Sequence, residues 1–119
     1  MSLTKIANRE ETDLARLDEE ASTALARGLF VCAKKVFHRL WSQTRNPIYL
    51  AKLGEALYRG KRPRRARAVL EASFALKPQV YTGAVLMQVL NALKDFKAER
   101  KIWEYCLRNL GSQLPAEPW

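Results

Sequence analysis

The sequence repeats itself every 33 residues. Displaced by that interval, Phe30, Pro63 and Phe96 fall into register, and Ala33, Ala66 and Glu99 do so three positions later. Phe37, Leu70 and Trp103 follow, then Leu40, Ser73 and Cys106, then Trp41, Phe74 and Leu107. Upstream of each set, Ala21 aligns with Gly54 and Met87, and Ala24 aligns with Leu57 and Leu90. A short repeating unit cannot bury its own apolar faces, so it must stack on its neighbours to close a core. The small residues mark where paired helices approach closely, and the large ones fill the gaps between them.

Punctuation divides each unit in two. Gly28, Asn46-Pro47, Gly60 with Pro63, Lys77-Pro78, Lys94-Asp95 and Gly111 interrupt six segments that carry apolar residues at helical spacing. The stripes run through Leu14, Leu17, Ala21, Ala24 and Leu25, then Phe30, Ala33, Val36, Phe37, Leu40 and Trp41. Ile48, Leu50, Leu53, Gly54 and Leu57 form the third, and Ala66, Val69, Leu70, Ser73 and Phe74 the fourth. Val80, Ala84, Met87, Val89 and Leu90 form the fifth, and Phe96, Ile102, Trp103, Cys106 and Leu107 the sixth. Residues 80–90 are richer in β-branched and aromatic side chains, but their length and surroundings favour helix. The expected fold class is all-α, built of about three antiparallel helix hairpins.

The net charge of +9 is unevenly spread. Residues 1–20 carry three bases against six acids, and the remainder carries 18 bases against six acids. Arg59, Lys61, Arg62, Arg64, Arg65 and Arg67 place six cations within nine residues, at a turn and the start of a helix. Like charges crowded at the positive end of a helix favour an anion. That anion could be phosphate, an acidic peptide or nucleic acid, or the acidic segment 10–20 of the chain itself.

Catalysis has little foothold. His38 stands alone between Phe37 and Arg39 and reads as a surface or packing residue. No Cys/His cluster has metal-ligand spacing and no glycine-rich phosphate loop is present. The expectation is therefore no enzyme, no catalytic residue, no metal and no cofactor. Cys32 and Cys106 both read as reduced core residues of a cytoplasmic protein. The acidic start is unlike a signal peptide, and no apolar run is long enough to span a bilayer.

Residues 47–79 resemble the tetratricopeptide repeat, whose pattern is Trp-x2-Leu-Gly-x2-Tyr, then Ala, an aromatic, Ala and Pro. Leu50 stands at the Trp position, Leu53-Gly54 match the Leu-Gly pair and Leu57 replaces the Tyr. Ala66 matches the first Ala, Leu70 replaces the aromatic, Ser73 replaces the second Ala and Pro78 matches the Pro. Residues 14–46 match through Gly28, Phe30, Ala33 and Phe37. Residues 80–112 match through Phe96 and Trp103, with Met87 at the Gly position. In this copy Glu99 stands at the Ala position or, with a one-residue shift, Ala98 does. Segment 1–13 becomes an N-terminal extension and 113–119 a tail containing Pro115 and Pro118 and ending in Trp119.

The resemblance implies a right-handed α-solenoid whose first helices line a groove for a peptide or helix of another protein. The groove residues it implies are Ala15, Asp18, Ser22, Leu25, Ile48, Ala51, Glu55, Tyr58, Arg59, Tyr81, Ala84, Gln88 and Asn91. Members that clamp acidic C-terminal tails use Lys and Asn at positions held here by Asp18, Ser22, Lys52, Tyr81 and Val85. Only Lys52 could serve, so a clamp of that kind is not expected. In size the chain resembles the small bacterial chaperones that hold secretion-system subunits. The leading reading is a protein-binding adaptor or chaperone-like module. The alternatives are a nucleic-acid or anionic-surface binder using Arg59–Arg67, and a scaffold that self-assembles through its end faces. The last hairpin lacks a polar capping helix, which leaves Ile102 or Leu110 exposed unless the tail, a second copy or a partner covers them.

Overall fold

The structure of the protein, a computed structural model, is described for residues 3–113, with side chains from residue 12 onward. Six α-helices account for almost all of it: α1 (Leu3–Ala26), α2 (Phe30–Thr44), α3 (Pro47–Arg59), α4 (Pro63–Leu76), α5 (Val80–Ala92) and α6 (Phe96–Asn109). A single 3-10 turn, Gly111–Gln113, follows. No strand occurs among the described residues. Each helix packs on the next, and α3 also touches α5. The result is an α-solenoid of three helix hairpins, α1/α2, α3/α4 and α5/α6.

The 33-residue period is written into the backbone as well as the side chains. Gly28, Lys61 and Lys94 all adopt the left-handed conformation, with φ of 80°, 67° and 62°. Each ends the first helix of its hairpin with the same two hydrogen bonds. In the first turn Gly28 N–H donates to Leu25 O and Leu29 N–H to Ala24 O. Lys61 and Arg62 donate to Tyr58 and Leu57 in the second turn, and Lys94 and Asp95 to Asn91 and Leu90 in the third. This paired closure is the Schellman motif, which satisfies the last carbonyls of a helix. The third hairpin therefore follows the others without a slip, and Glu99 rather than Ala98 stands where Ala33 and Ala66 stand.

The joints between hairpins are less uniform. Arg45 closes α2 in a left-handed conformation, donating its N–H to Trp41 O at 2.8 Å. Asn46 then caps α3 by accepting from Ile48 N–H at 3.1 Å, with Pro47 in the first helical position. Before α5, by contrast, Lys77 and Gln79 are both extended around Pro78 and neither caps the helix through its side chain.

Ala33, Phe37, Leu40, Ala66 and Leu70 are wholly buried and form the centre of the stack. Helices α3 and α4 approach closely, and a Cβ on Gly54 would lie 2.5 Å from Leu70 Cγ. Ser73 stands where the repeat pattern has Ala, and its buried hydroxyl donates to Pro47 O at 2.8 Å, tying α4 to the start of α3. In the third hairpin the equivalents of Gly54 and Leu70 are Met87 and Trp103. Two large residues cannot close in the same way, and an open recess of about 400 Å³ remains between Met87, Phe96, Glu99, Arg100 and Trp103. The close approach moves instead to Gly83, where a Cβ would meet Cys106 Sγ at 2.9 Å and Phe74 at 3.3 Å.

Three sequence expectations need correction. Cys32 is exposed, while Cys106 is buried; position 32 lies one residue off the inward row of Ala33, Phe37 and Leu40, about 100° round the helix. Of the expected N-terminal extension 1–13, residues 3–13 are helical and continuous with the first repeat helix, since α1 runs unbroken from Leu3 to Ala26. Helix α5 buries Thr82, Gly83, Val85 and Leu86 in addition to Val89 and Leu90, while Ala84 and Met87 are half-buried. It is enclosed by α3, α4 and α6, so a single stripe understates its contacts. At the end of the stack Leu110 is buried and Ile102 half-buried. The exposed apolar residues there are Phe96, Trp103, Tyr105 and Leu107. Tail residues 114–119, including Trp119, lie outside the described residues.

Candidate functional site

Helices α1, α3 and α5, the first of each hairpin, run along one face of the stack, and polar pairs link them in sequence. Lys52 Nζ on α3 donates to Asp18 Oδ1 on α1 at 2.9 Å. The same ammonium lies 5.8 Å from the ring centroids of both Phe37 and Tyr49. Burial, followed by the Asp18 charge, pushes the Tyr49 phenol above its ordinary value. Tyr81 on α5 donates its hydroxyl to Glu55 Oε2 on α3. Burial raises the Tyr81 phenol most, the hydrogen bond and charge of Glu55 add to it, and the nearby Arg59 charge opposes it. Asn91 Nδ2 donates to Glu99 Oε1 at 3.3 Å, joining α5 to α6.

These pairs divide the residues that the sequence offers to a partner. Ala51 is wholly buried and Leu25 is 7% exposed, so both belong to the core beneath the face. Each lies against the apolar interior because the stripe on its helix is wider than a strict helical seam. Asp18 and Glu55 are half-buried and engaged by Lys52 and Tyr81. Ala15, Ser22, Arg59, Gln88 and Asn91 are exposed, and Ile48, Tyr58 and Ala84 are half-buried. Arg59 stacks over the Phe30 ring at 5.5 Å. The Tyr58 hydroxyl has no hydrogen-bond partner among the described residues. Of the clamp positions, Lys52 is committed to Asp18 and Val85 is buried.

Two members of the basic cluster are engaged within the fold. Arg67 is held on α4 by Glu71 Oε1 at 2.6 Å and by Asp95 Oδ2 at 3.0 Å. The hydrogen bond from Ala98 N–H, and then Arg67, hold the Asp95 carboxyl below the usual range. Arg67 is doubly paired and Arg59, though exposed, stacks on Phe30; the other exposed cations are Lys61, Arg62, Arg64 and Arg65. Sequence reading missed a further feature on the other side of α3. A recess of about 530 Å³ between α2 and α4 is floored by Leu53 and Leu57 and bordered by Lys34, Lys35, His38 and Arg65.

Compared with solved structures, the chain superposes on the crystal structure of the Sgt2 TPR domain from Aspergillus fumigatus with a TM-score of 0.77. The match covers 87% of this chain and 70% of that one, at 20% sequence identity. The fold is that of a tetratricopeptide-repeat (TPR) domain. No protein-family model matches the sequence, and neither does any curated protein sequence. The likeness therefore lies in the TPR architecture rather than in side chains, consistent with Met87 and Glu99 standing where the repeat pattern has Gly and Ala. No helix among the described residues is long and apolar enough to cross a membrane.

Proposed function

We propose that this TPR-like chain is a protein-binding adaptor or chaperone-like module that holds a helix or extended segment of another polypeptide against α1, α3 and α5. The observation that carries this reading is the division of labour on that face. The Asp18–Lys52 and Glu55–Tyr81 pairs fix the spacing of the three helices. Tyr58, Arg59 and Gln88 keep groups available along the same line, and Asn91 keeps its amide oxygen. An aromatic hydroxyl beside amides and one guanidinium suits a peptide, whose backbone offers donors and acceptors and whose side chains need apolar contact. The reading assigns the chain no catalytic step. Its two free thiols fit a reducing compartment such as the cytoplasm.

The test is capture of partners from the native source with the wild-type chain and with a Tyr58→Ala/Tyr81→Ala variant whose helical content is matched by circular dichroism. A partner retained by the wild type and lost from the variant supports the reading. A partner retained equally by both removes this face from consideration.

A further inference from the structure

Two valleys separate the second helices of successive hairpins, α2 from α4 and α4 from α6. They are built on the same 33-residue register, so their charges can be compared position by position. In the second valley Arg67 meets Glu71 at 2.6 Å and Asp95 at 3.0 Å. One repeat earlier, the position of Arg67 is Lys34, that of Glu71 is His38 and that of Asp95 is Arg62. The cation is kept, but both carboxylates are replaced by basic residues. Lys34 and His38 line the 530 Å³ recess, and Lys34 and Arg62 line a smaller opening that shares Leu57 with it.

The floor of this first valley is apolar. Leu53 and Leu57 lie at its base, and Ala68 and Val69 form the α4 side. Val31, 60% exposed, extends the apolar strip beyond Lys34. Every ionisable group on the lining of both openings is basic: Lys34, Lys35, His38, Arg62 and Arg65. None is paired with a carboxylate among the described residues. An apolar strip bordered on both sides by unpaired cations matches a helix that is apolar on one face and acidic along its flanks. Nucleic acid would find the cations but has no use for the apolar floor.

We propose that the valley between α2 and α4 is a second docking surface, which takes an acidic amphipathic helix of a partner protein. The partner's carboxylates would supply to Lys34 and Arg62 what Glu71 and Asp95 supply to Arg67. Its apolar side chains would lie on Leu53, Leu57 and Val69. This surface is separate from the α1/α3/α5 face, and each could be occupied without the other.

The probe is a synthetic helical peptide as long as α2, with Leu at i, i+3 and i+7 and Glu on the flanking positions. The controls are the same composition scrambled, a single-stranded RNA, and the chain alone in light scattering. The amphipathic peptide should bind about tenfold more tightly than the scrambled one, a difference of about 1.4 kcal/mol. The exposed Ala68→Trp, which fills the recess, should abolish binding. Arg62→Asp with His38→Glu, which copies the second valley, should also abolish it while leaving the melting temperature unchanged or higher. Glu104→Gln, exposed on α6 and outside both surfaces, should leave the peptide's affinity unchanged. Equal binding of both peptides, tighter binding of RNA, or indifference to Ala68→Trp would overturn the proposal. So would self-association of the chain that the peptide competes away, because the occupant would then be a second copy.

Discussion

Gly54 on α3 faces Leu70 on α4 so closely that a Cβ on the glycine would lie 2.5 Å from Leu70 Cγ, and Leu70 is wholly buried. The leucine has nowhere to move. Gly54→Ala gains up to about 1 kcal/mol of helix propensity, yet it overpacks a closed core. We expect a net loss of about 1–2 kcal/mol, read as a lower urea midpoint at unchanged slope. Combining it with Leu70→Ala should destabilise less than the two single changes added together. Strict additivity would mean that the two residues do not press on each other.

Thr82 presents the opposite case. Its side-chain oxygen is buried with no hydrogen-bond partner among the described residues. Valine has the same shape without the stranded hydroxyl. Thr82→Val should therefore stabilise the chain by about 1 kcal/mol, visible as a higher melting temperature. A lower one would show that the hydroxyl is satisfied in solution.

Tyr81 should leave a mark at alkaline pH. Its phenol is raised in the folded chain by burial and by Glu55. A raised acid favours its neutral form on folding, so its contribution is fully present below the ordinary phenol value of about 10. That contribution is lost as pH climbs from there through the folded value. Unfolding free energy measured against pH should thus fall at the alkaline end, less steeply in Tyr81→Phe. Near-ultraviolet titration of the folded variant should lack one late-ionising phenol. Identical alkaline profiles would sink the assignment.

The two thiols should behave differently. Cys32 is exposed on α2, whereas Cys106 is packed under Gly83 and burial raises its thiol. A thiol reagent applied to the native chain should modify Cys32 at once and Cys106 only on unfolding. Cys32→Ser should abolish the fast phase. If both react together, α6 opens on the time scale of the assay.

The helix limits were legible because they rest on local chemistry. Asn46-Pro47 announces the start of α3, and the spacing of Phe30, Pro63 and Phe96 announces the starts of α2, α4 and α6. What lay beyond the sequence depended on which flank of an apolar stripe faces a neighbour. Ala51 and Leu25 read as groove residues, yet both are buried, since small or apolar side chains beside a stripe look alike whether covered or not. Partners far apart in the chain were also out of reach. Lys52 finds Asp18 across 34 residues, and Arg67 finds Asp95 on the next hairpin. The valley at Lys34 exists only in the fold, where Leu53 and Leu57 of α3 lie between α2 and α4.

The chain contains two kinds of joint, and they should differ in how they tolerate change. The turns within hairpins, around Gly28, Lys61 and Lys94, share one conformation and one pair of hydrogen bonds. An added residue there would turn the following helix by about 100° and present the wrong side to its mate. The connections at 45–46 and 77–79 already differ in length and backbone shape. Extra residues, a fused tag or a protease site should therefore be accommodated at 77–79, whereas the same insertion at 60–62 should unravel the stack.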